Sequence, residues 1–399
     1  MPARRDTFRI AVRKFGPFET AIARQWESFR ALTGCPLQIE AVPFDLHPLH
    51  TALLTEHGLR DGSWDAAFIV TDWLAEAHAT GALLDLATHL TANAPEDYPR
   101  GWVPSLLRAQ NFGGAVLGLP YHDGPECLIY RTDLFAAADL RAPATWAEYH
   151  SAARILSAPA RNVWGTTFAA YPDGHNTVYD FCLQLWTRGG ELFDDSGRLV
   201  IDHPKAHDGL RYLRTILNDA QTVHPRSREF DSVQSGLAFA RGEVAMMVNW
   251  FGFAAMSETL ADSTVKGRVA IAPLPAASGC GSASLNVYWL LGVGAGSPHP
   301  SIARDFLVHC ASRANDKLLT LAGGIGCRRS TWHDAEVNQA IPFYVELERI
   351  HAHARELPRL PHWAQLAGVI DRLVTAAINT NEPVEALAGH AQAESDALH

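Results

Sequence analysis

Along the first seventy residues the chain switches between two spacings of apolar side chains. Phe8, Ile10 and Val12 alternate with charged neighbours as on a half-buried strand, and Ile22, Trp26 and Phe29 then recur at helical intervals until Gly34 stops the run. Leu37, Ile39 and Ala41 restore the alternation. After a second helical stretch, Ala66 to Val70 is a continuous apolar run entered from Asp65, the pattern of a parallel strand covered on both faces. A β-α-β-α-β opening predicts an α/β lobe with a parallel core.

The pattern changes near Pro120, where GLPYHDGPECLIYR (118–131) reads as a short loop feeding a strand. Thr145 and Glu148 form a T-x-x-E capping box that opens the helix TWAEYHSAARIL. A turn at Asp194 to Gly197, a short strand and a Pro-started helix at Pro204 follow, and a second lobe is placed here. Apolar Val244 to Val248 predicts a buried strand, as do VAIAPLP from Val269 and YWLLGVG from Tyr288, while Ile302, Phe306, Leu307 and Cys310 mark an amphipathic helix. There is no repeat at a fixed period and no low-complexity tract.

Length and charge then narrow the function classes. The 399 residues suit two or three domains. A net charge of −10 argues against a nucleic-acid partner, because that surface needs clustered Lys and Arg. The longest charge-free stretch, 269–303, is cut by Pro273, Pro275, Gly279, Gly281, Pro298 and Pro300 and reads as strands and loops, not as a membrane span. The start, MPARRDTFRIAVRK, has no apolar core of an export leader. Cysteines at 35, 127, 182, 280, 310 and 327 form no CxxC; their even number permits disulfides without implying them.

Catalytic motifs are missing: no HExxH, GxSxG, P-loop or EF-hand loop occurs. The glycines at 292, 294 and 296 run into Ser297-Pro298-His299-Pro300, which offers no helix N-terminus to a pyrophosphate. His351 and His353 point to different helical faces, and His47 and His50 lack a third ligand nearby. No catalytic residue, metal or cofactor is expected.

What remains is aromatic and short polar residues at predicted strand ends. Asn249, Trp250 and Phe251 close the GEVAMMVNWFGF element, and Tyr121, His122 and Asp123 sit together in the 118–131 loop. Aromatic rings favour the C–H faces of sugars, and Asp, Asn, Arg and His fix hydroxyls by directed hydrogen bonds. A plug between lobes is the competing role for Trp250 and Phe251, a turn for Asp123-Gly124, and the core for Trp186.

Four segments in order resemble one family across nearly the whole chain: GLPYHDGPECLIYRTDLF followed by PATWAEYHSAARIL, LQLWTRGGELFDDSGRLVIDHPKA, GEVAMMVNWFGF, and GGIGCRRS. They are similar to the maltose-binding-protein-like, carbohydrate-binding family of extracellular (periplasmic) solute-binding proteins of ABC importers. The resemblance implies an α/β fold of the type II periplasmic-binding-protein kind, two lobes with a hinge and a ligand cleft between them. Boundaries implied are 6–119 plus 274–313 for the N-terminal lobe and 120–273 plus 314–399 for the C-terminal lobe, with crossings near 119–126, 270–276 and 312–328. Carried over by position, the implied ligand-binding residues are Glu19, Asp72, Tyr121, His122, Asp123, Asn249, Trp250, Phe251, Asn286, Tyr288 and Arg328. Two departures stand out. Gly326 replaces the proline of the late motif, so Arg329 is an alternative to Arg328, and His122 replaces a carboxylate or small polar residue.

The resemblance implies a monomeric binding component that captures a monosaccharide, sugar alcohol or short oligosaccharide by lobe closure and delivers it to membrane permease subunits. It also implies a periplasmic or extracellular location, with an export signal removed ahead of this chain. An acidic sugar is the second reading, since Arg328, Arg329 and His122 would neutralise it. A saccharide-cleaving enzyme using Asp72 with Asp123 is a third, and a sugar sensor that presents its ligand to a receptor a fourth.

Overall fold

The computed structural model describes residues 6–398; residues 1–5, the basic start weighed above as a leader, lie outside them. The chain divides into two compact units. The first comprises Met1–Gly124, Val287–His351 and Glu356–Pro361, and the second Pro125–Asn286, Ala352–Arg355 and His362–His399.

The first unit is built on a five-stranded sheet in the order Gln38–Phe44, Thr7–Arg13, Ala66–Val70, Trp289–Val293, Leu119–His122. The first three strands are parallel, as the opening spacing predicts, and Trp289–Val293 runs antiparallel to both of its neighbours. The helix Gly16–Thr33 buries Phe18, Ala21, Ile22, Gln25, Trp26 and Phe29 along one face and ends at Gly34, whose φ of 70° favours a residue without Cβ. Trp26 stacks on Phe8 at 4.6 Å, which locks this helix to the sheet. Buried Gln25 is satisfied on both sides: its amide donates to the Asn315 carbonyl at 3.1 Å and its oxygen accepts from the Tyr121 hydroxyl at 2.8 Å.

The second unit carries a four-stranded sheet in the order Val269–Ala272, Glu126–Arg131, Val244–Trp250, Trp164–Thr167, antiparallel except for the last pair. A two-stranded parallel ribbon joins Ser284–Leu285 to Ala354–Arg355. Helices Asn176–Trp186, Pro204–Leu217 and Trp363–Asn379 pack on one another. The capping box at Thr145 and Glu148 forms as the sequence predicts. Gly165 lets its strand approach the helix Trp146–Leu156 closely; a Cβ there would lie 1.9 Å from the Ala153 carbonyl oxygen.

Several expectations need correction. The 118–131 segment is not a loop feeding one strand but two strands, Leu119–His122 in the first unit and Glu126–Arg131 in the second. The short strand expected after Gly197 is only a bridge between Phe193 and Leu199, because the Asp194 carboxylate takes the Ser196 and Arg198 amides and closes a turn. Residues 120–124, 314–351 and 356–361, assigned above to the C-terminal lobe, lie in the first unit, and 274–286 lie in the second. The cause for 314–351 is local. The helix Arg313–Leu321 packs on Gly16–Thr33, and its buried Asp316 accepts from the Cys327 and Arg328 amides and the Thr331 hydroxyl, which ties the following loop to the same unit. All six cysteines are free thiols, five of them buried. Among the described residues no helix is long and apolar enough to cross a membrane.

Candidate functional site

In the second unit Glu126 opens its strand and Trp250 closes the neighbouring one. The antiparallel register sets them directly opposite each other, so both side chains leave the same face of the sheet. The Trp250 ring meets Tyr179 edge-on at 5.6 Å, and Tyr179 precedes Asp180 on the helix Asn176–Trp186. Glu126 is only 6% exposed, whereas Asp180 and Trp250 are partly open. Burial pushes the Asp180 carboxyl up to about 7; burial and the charge of Asp180 hold Glu126 well above the usual carboxylate range.

The ribbon is tied to the start of the Glu126 strand. The Ser284 hydroxyl donates to the Glu126 carbonyl, and the Asn286 amide N–H donates to the Arg355 carbonyl at 2.8 Å. The Asn286 side chain is 2% exposed, and neither its Nδ2 nor its Oδ1 has a partner among the described residues. Arg355 lies over the Trp186 ring at 4.7 Å and forks onto the Glu191 carboxylate. An aromatic platform beside two carboxylates can pack against the C–H face of a sugar ring and bond its hydroxyls.

In the first unit Asp72 lies in the turn Thr71–Trp73 that follows Ala66–Val70. Trp73 meets His50 at 5.0 Å and Trp289 at 6.0 Å, and His50 bonds Glu76 at 2.8 Å. Asp72 also lines a small hollow with Thr71, Ala109, Glu356, Leu357 and Arg359. Glu19 sits half-buried in the first turn of Gly16–Thr33, where the helix dipole favours a carboxylate.

Seven of the residues expected to meet a ligand have other partners. Tyr121 is held by Gln25, and the buried Tyr288 hydroxyl donates to the Leu106 carbonyl. Asn249 donates to the Ser232 carbonyl at 2.9 Å and accepts from the Trp250 amide at 2.8 Å. Phe251 is fully buried and starts a helix. Arg328 has no exposure: its guanidinium donates to the carbonyls of Ala311 and Glu96, each at 2.8 Å, and stacks over Trp102 at 4.4 Å. Arg329 does not replace it, being exposed and paired with Glu348 at 2.8 Å. His122 accepts the Ile325 amide on Nδ1 at 2.8 Å and is lowered by burial to about 4, so its ring is neutral.

Asp123, 2% exposed, bonds His351 Nε2 at 2.6 Å, and His351 Nδ1 meets the Ser105 hydroxyl at 3.2 Å. The order Ser, His, Asp is that of a nucleophile relay. Here, though, Ser105 is itself buried, and His351 is stacked on Trp332 at 5.1 Å. It is a packed link inside the first unit.

The sequence profile described as bacterial extracellular solute-binding protein matches residues 47–317, more than half of the chain. The chain belongs to this family. Among its relatives, a probable ABC transporter-binding protein of Deinococcus radiodurans is 25% identical over 67% of this chain and 65% of its own length. An arabinooligosaccharide-binding protein of Bacillus subtilis is 22% identical over 60% of this chain and 54% of its own length. The match thus spans about half to two thirds of these two relatives. The fold is that of maltose-bound MalE3 of T. maritima, with a TM-score of 0.89 at 23% identity over 98% of this chain and 100% of that one. A solute-binding protein of Agrobacterium radiobacter K84 in complex with ribitol gives 0.89 at 22% identity over 98% of each chain.

In this solute-binding protein Trp250 and Asn286 are among the residues expected from the family motifs, whereas Glu126, Tyr179 and Asp180 are not. The signal was present. Glu126 heads the strand ECLIYR ahead of an apolar run, and Asp180 is the lone charge in the helix NTVYDFCLQLW.

Proposed function

We propose that this protein is the substrate-binding component of an ABC importer, capturing a monosaccharide, sugar alcohol or short oligosaccharide by lobe closure and delivering it to permease subunits. The observation that carries the reading is the face of the second unit: Trp250 against Tyr179, with Glu126 directly across the strand pair from Trp250 and Asp180 next to Tyr179 in its helix. Ligands named for its structural neighbours, maltose, ribitol, tagatose and mannitol, support a polyhydroxylated guest. Ligand shifts the population toward the closed form without a covalent step. The protein acts outside the cytoplasm as a monomer, with no nucleic-acid partner and no turnover of its ligand.

An acidic sugar is disfavoured by the placement of its three expected cations. Arg328 serves the interior, Arg329 pairs with Glu348, and His122 is neutral. A melting screen over neutral, acidic and basic sugars and polyols tests the reading. A ligand at about 1,000 times its dissociation constant adds about 4 kcal/mol of stability. At least one saccharide should raise the melting temperature and be recovered unchanged. If none moves it, or if a saccharide is cleaved, the proposal fails.

A further inference from the structure

The carboxylates of Glu126 and Asp180, in the second unit, have no cation partner among the described residues. Glu126 is more than nine-tenths buried, and among the described residues neither it nor Asp180 accepts a side-chain hydrogen bond or forms an ion pair. The groups around them do not supply one. Cys127 and Cys182 are buried thiols pushed up by that burial, and the Tyr149 hydroxyl is likewise raised and bonded to Thr166. His175, whose ring lies 6.0 Å from Tyr179, has its Nδ1 at the Asp173 carbonyl at 3.0 Å. Arg355, the cation of the adjoining ribbon, is engaged by Glu191 and Trp186.

A neutral hydroxyl needs only one carboxylate as acceptor. Two that sense each other's charge in a desolvated site repel, and only a proton or a cation brought from outside balances them. Asn286 adds a second unspent group near the start of the Glu126 strand. Its buried amide has both a donor and an acceptor unspent, and it follows the strand whose Ser284 already bonds the Glu126 backbone. An ammonium offers three N–H donors and is attracted to the faces of rings such as Trp250 and Tyr179.

We propose that the carbohydrate taken by this protein is a basic one, an amine-bearing sugar or polyol whose ammonium sits against Glu126 and Asp180 while its carbon skeleton lies on Trp250. This inference rests on the second unit's face being the carbohydrate site. The neutral part of the guest supplies hydroxyls to Asn286, and the ammonium takes the place of the proton that the empty carboxylate pair would otherwise hold.

The test is calorimetric titration of the whole protein with D-glucosamine, D-galactosamine and 1-amino-1-deoxy-D-sorbitol, each beside its parent D-glucose, D-galactose or D-sorbitol. At least one amine should bind about tenfold or more tightly than its parent, the worth of a charge-assisted contact. Glu126→Gln and Asp180→Asn, which keep side-chain shape, should each erase that preference while circular dichroism and melting show a folded protein. Parents that bind as well as the amines, or a preference that survives in both variants, overturn the amine assignment and leave carbohydrate binding standing. Binding by none of the six compounds, with none found in a wider saccharide screen, overturns both.

Discussion

Replacing Arg328 by Met separates a residue of the interior from a residue of the ligand site. The guanidinium is fully buried, donates to two backbone carbonyls at 2.8 Å and lies 4.4 Å over Trp102. Methionine keeps much of the aliphatic volume but leaves the Ala311 and Glu96 carbonyls without this donor, at about 1–2 kcal/mol each. Loss of the cation–π contact adds about 1 kcal/mol. The total, about 3–5 kcal/mol, ranks among the larger single-residue effects. Urea unfolding followed by tryptophan fluorescence reads it, taking the earliest transition because two units need not unfold as one. With a slope of about 2–3 kcal/mol per molar urea, the midpoint should fall by about 1–2 M. Affinity for the ligand at low temperature should be unchanged. A variant with the parental midpoint and no ligand binding would refute the buried assignment and return Arg328 to the site. Arg329→Ala is the control: its exposed pair with Glu348 is worth less than about 1 kcal/mol.

Trp250→Ala should weaken the bound saccharide about tenfold to a hundredfold in calorimetric titration, and unchanged affinity would return this ring to a packing role. His122 is lowered to about 4, so an unfolded chain with the ordinary value of about 6.5 takes up the proton first as pH falls. Stability should therefore decline between about pH 6.5 and 4, by at most about 3 kcal/mol, and His122→Asn, which keeps an acceptor for the Ile325 amide, should flatten that limb; equal slopes in the two proteins would exclude His122 as its source. Asp180 has the opposite sign. Its value is raised to about 7, so the stability that protonation contributes is complete below about pH 4 and lost as pH rises through 7. Unliganded Asp180→Asn should thus exceed the parent by a few kcal/mol at most at pH 8 and match it near pH 4, and a gap independent of pH would contradict the assignment.

The fold was legible where one periodicity ran long enough to dominate. The opening strands and helix, the Thr145 capping box, and the strands ending at Trp250 and Val293 all follow from local spacing and turn chemistry. The division into units was not legible at residue level, because tertiary polar contacts decide it. Asp316 binds the 327–331 loop across eleven to fifteen residues, and Gln25 reaches Tyr121 and Asn315 from far along the chain. The site suffered from a related ambiguity. In YHDGPE the sequence offers two carboxylates three residues apart, and residue type alone favours Asp123 beside Tyr121 and His122. Only the pairing of strands distinguishes them: Asp123 ends inside the first unit on His351, while Glu126 starts a strand of the second opposite Trp250.

That ambiguity also bears on the second reading, an acidic guest. Counting charged residues near the family motifs gave two arginines and a histidine, enough to welcome an anion. Each is engaged within the protein: two backbone carbonyls, the Asp97 carboxylate at 3.7 Å and an aromatic face for Arg328, a surface carboxylate for Arg329, and a neutral ring accepting a backbone amide for His122. The carboxylates go the other way. Asp123 is consumed by His351, whereas Glu126 and Asp180 remain raised and uncompensated at the edge of an aromatic platform. Desolvated charge that folding leaves unbalanced costs stability in the empty protein, and a ligand that balances it recovers that cost on binding. Asp180 should therefore weaken the unliganded protein as pH rises through about 7, and it should strengthen the protein, together with Glu126, when a cationic polyol is present, a coupling that neither a packing role nor a purely neutral sugar site produces.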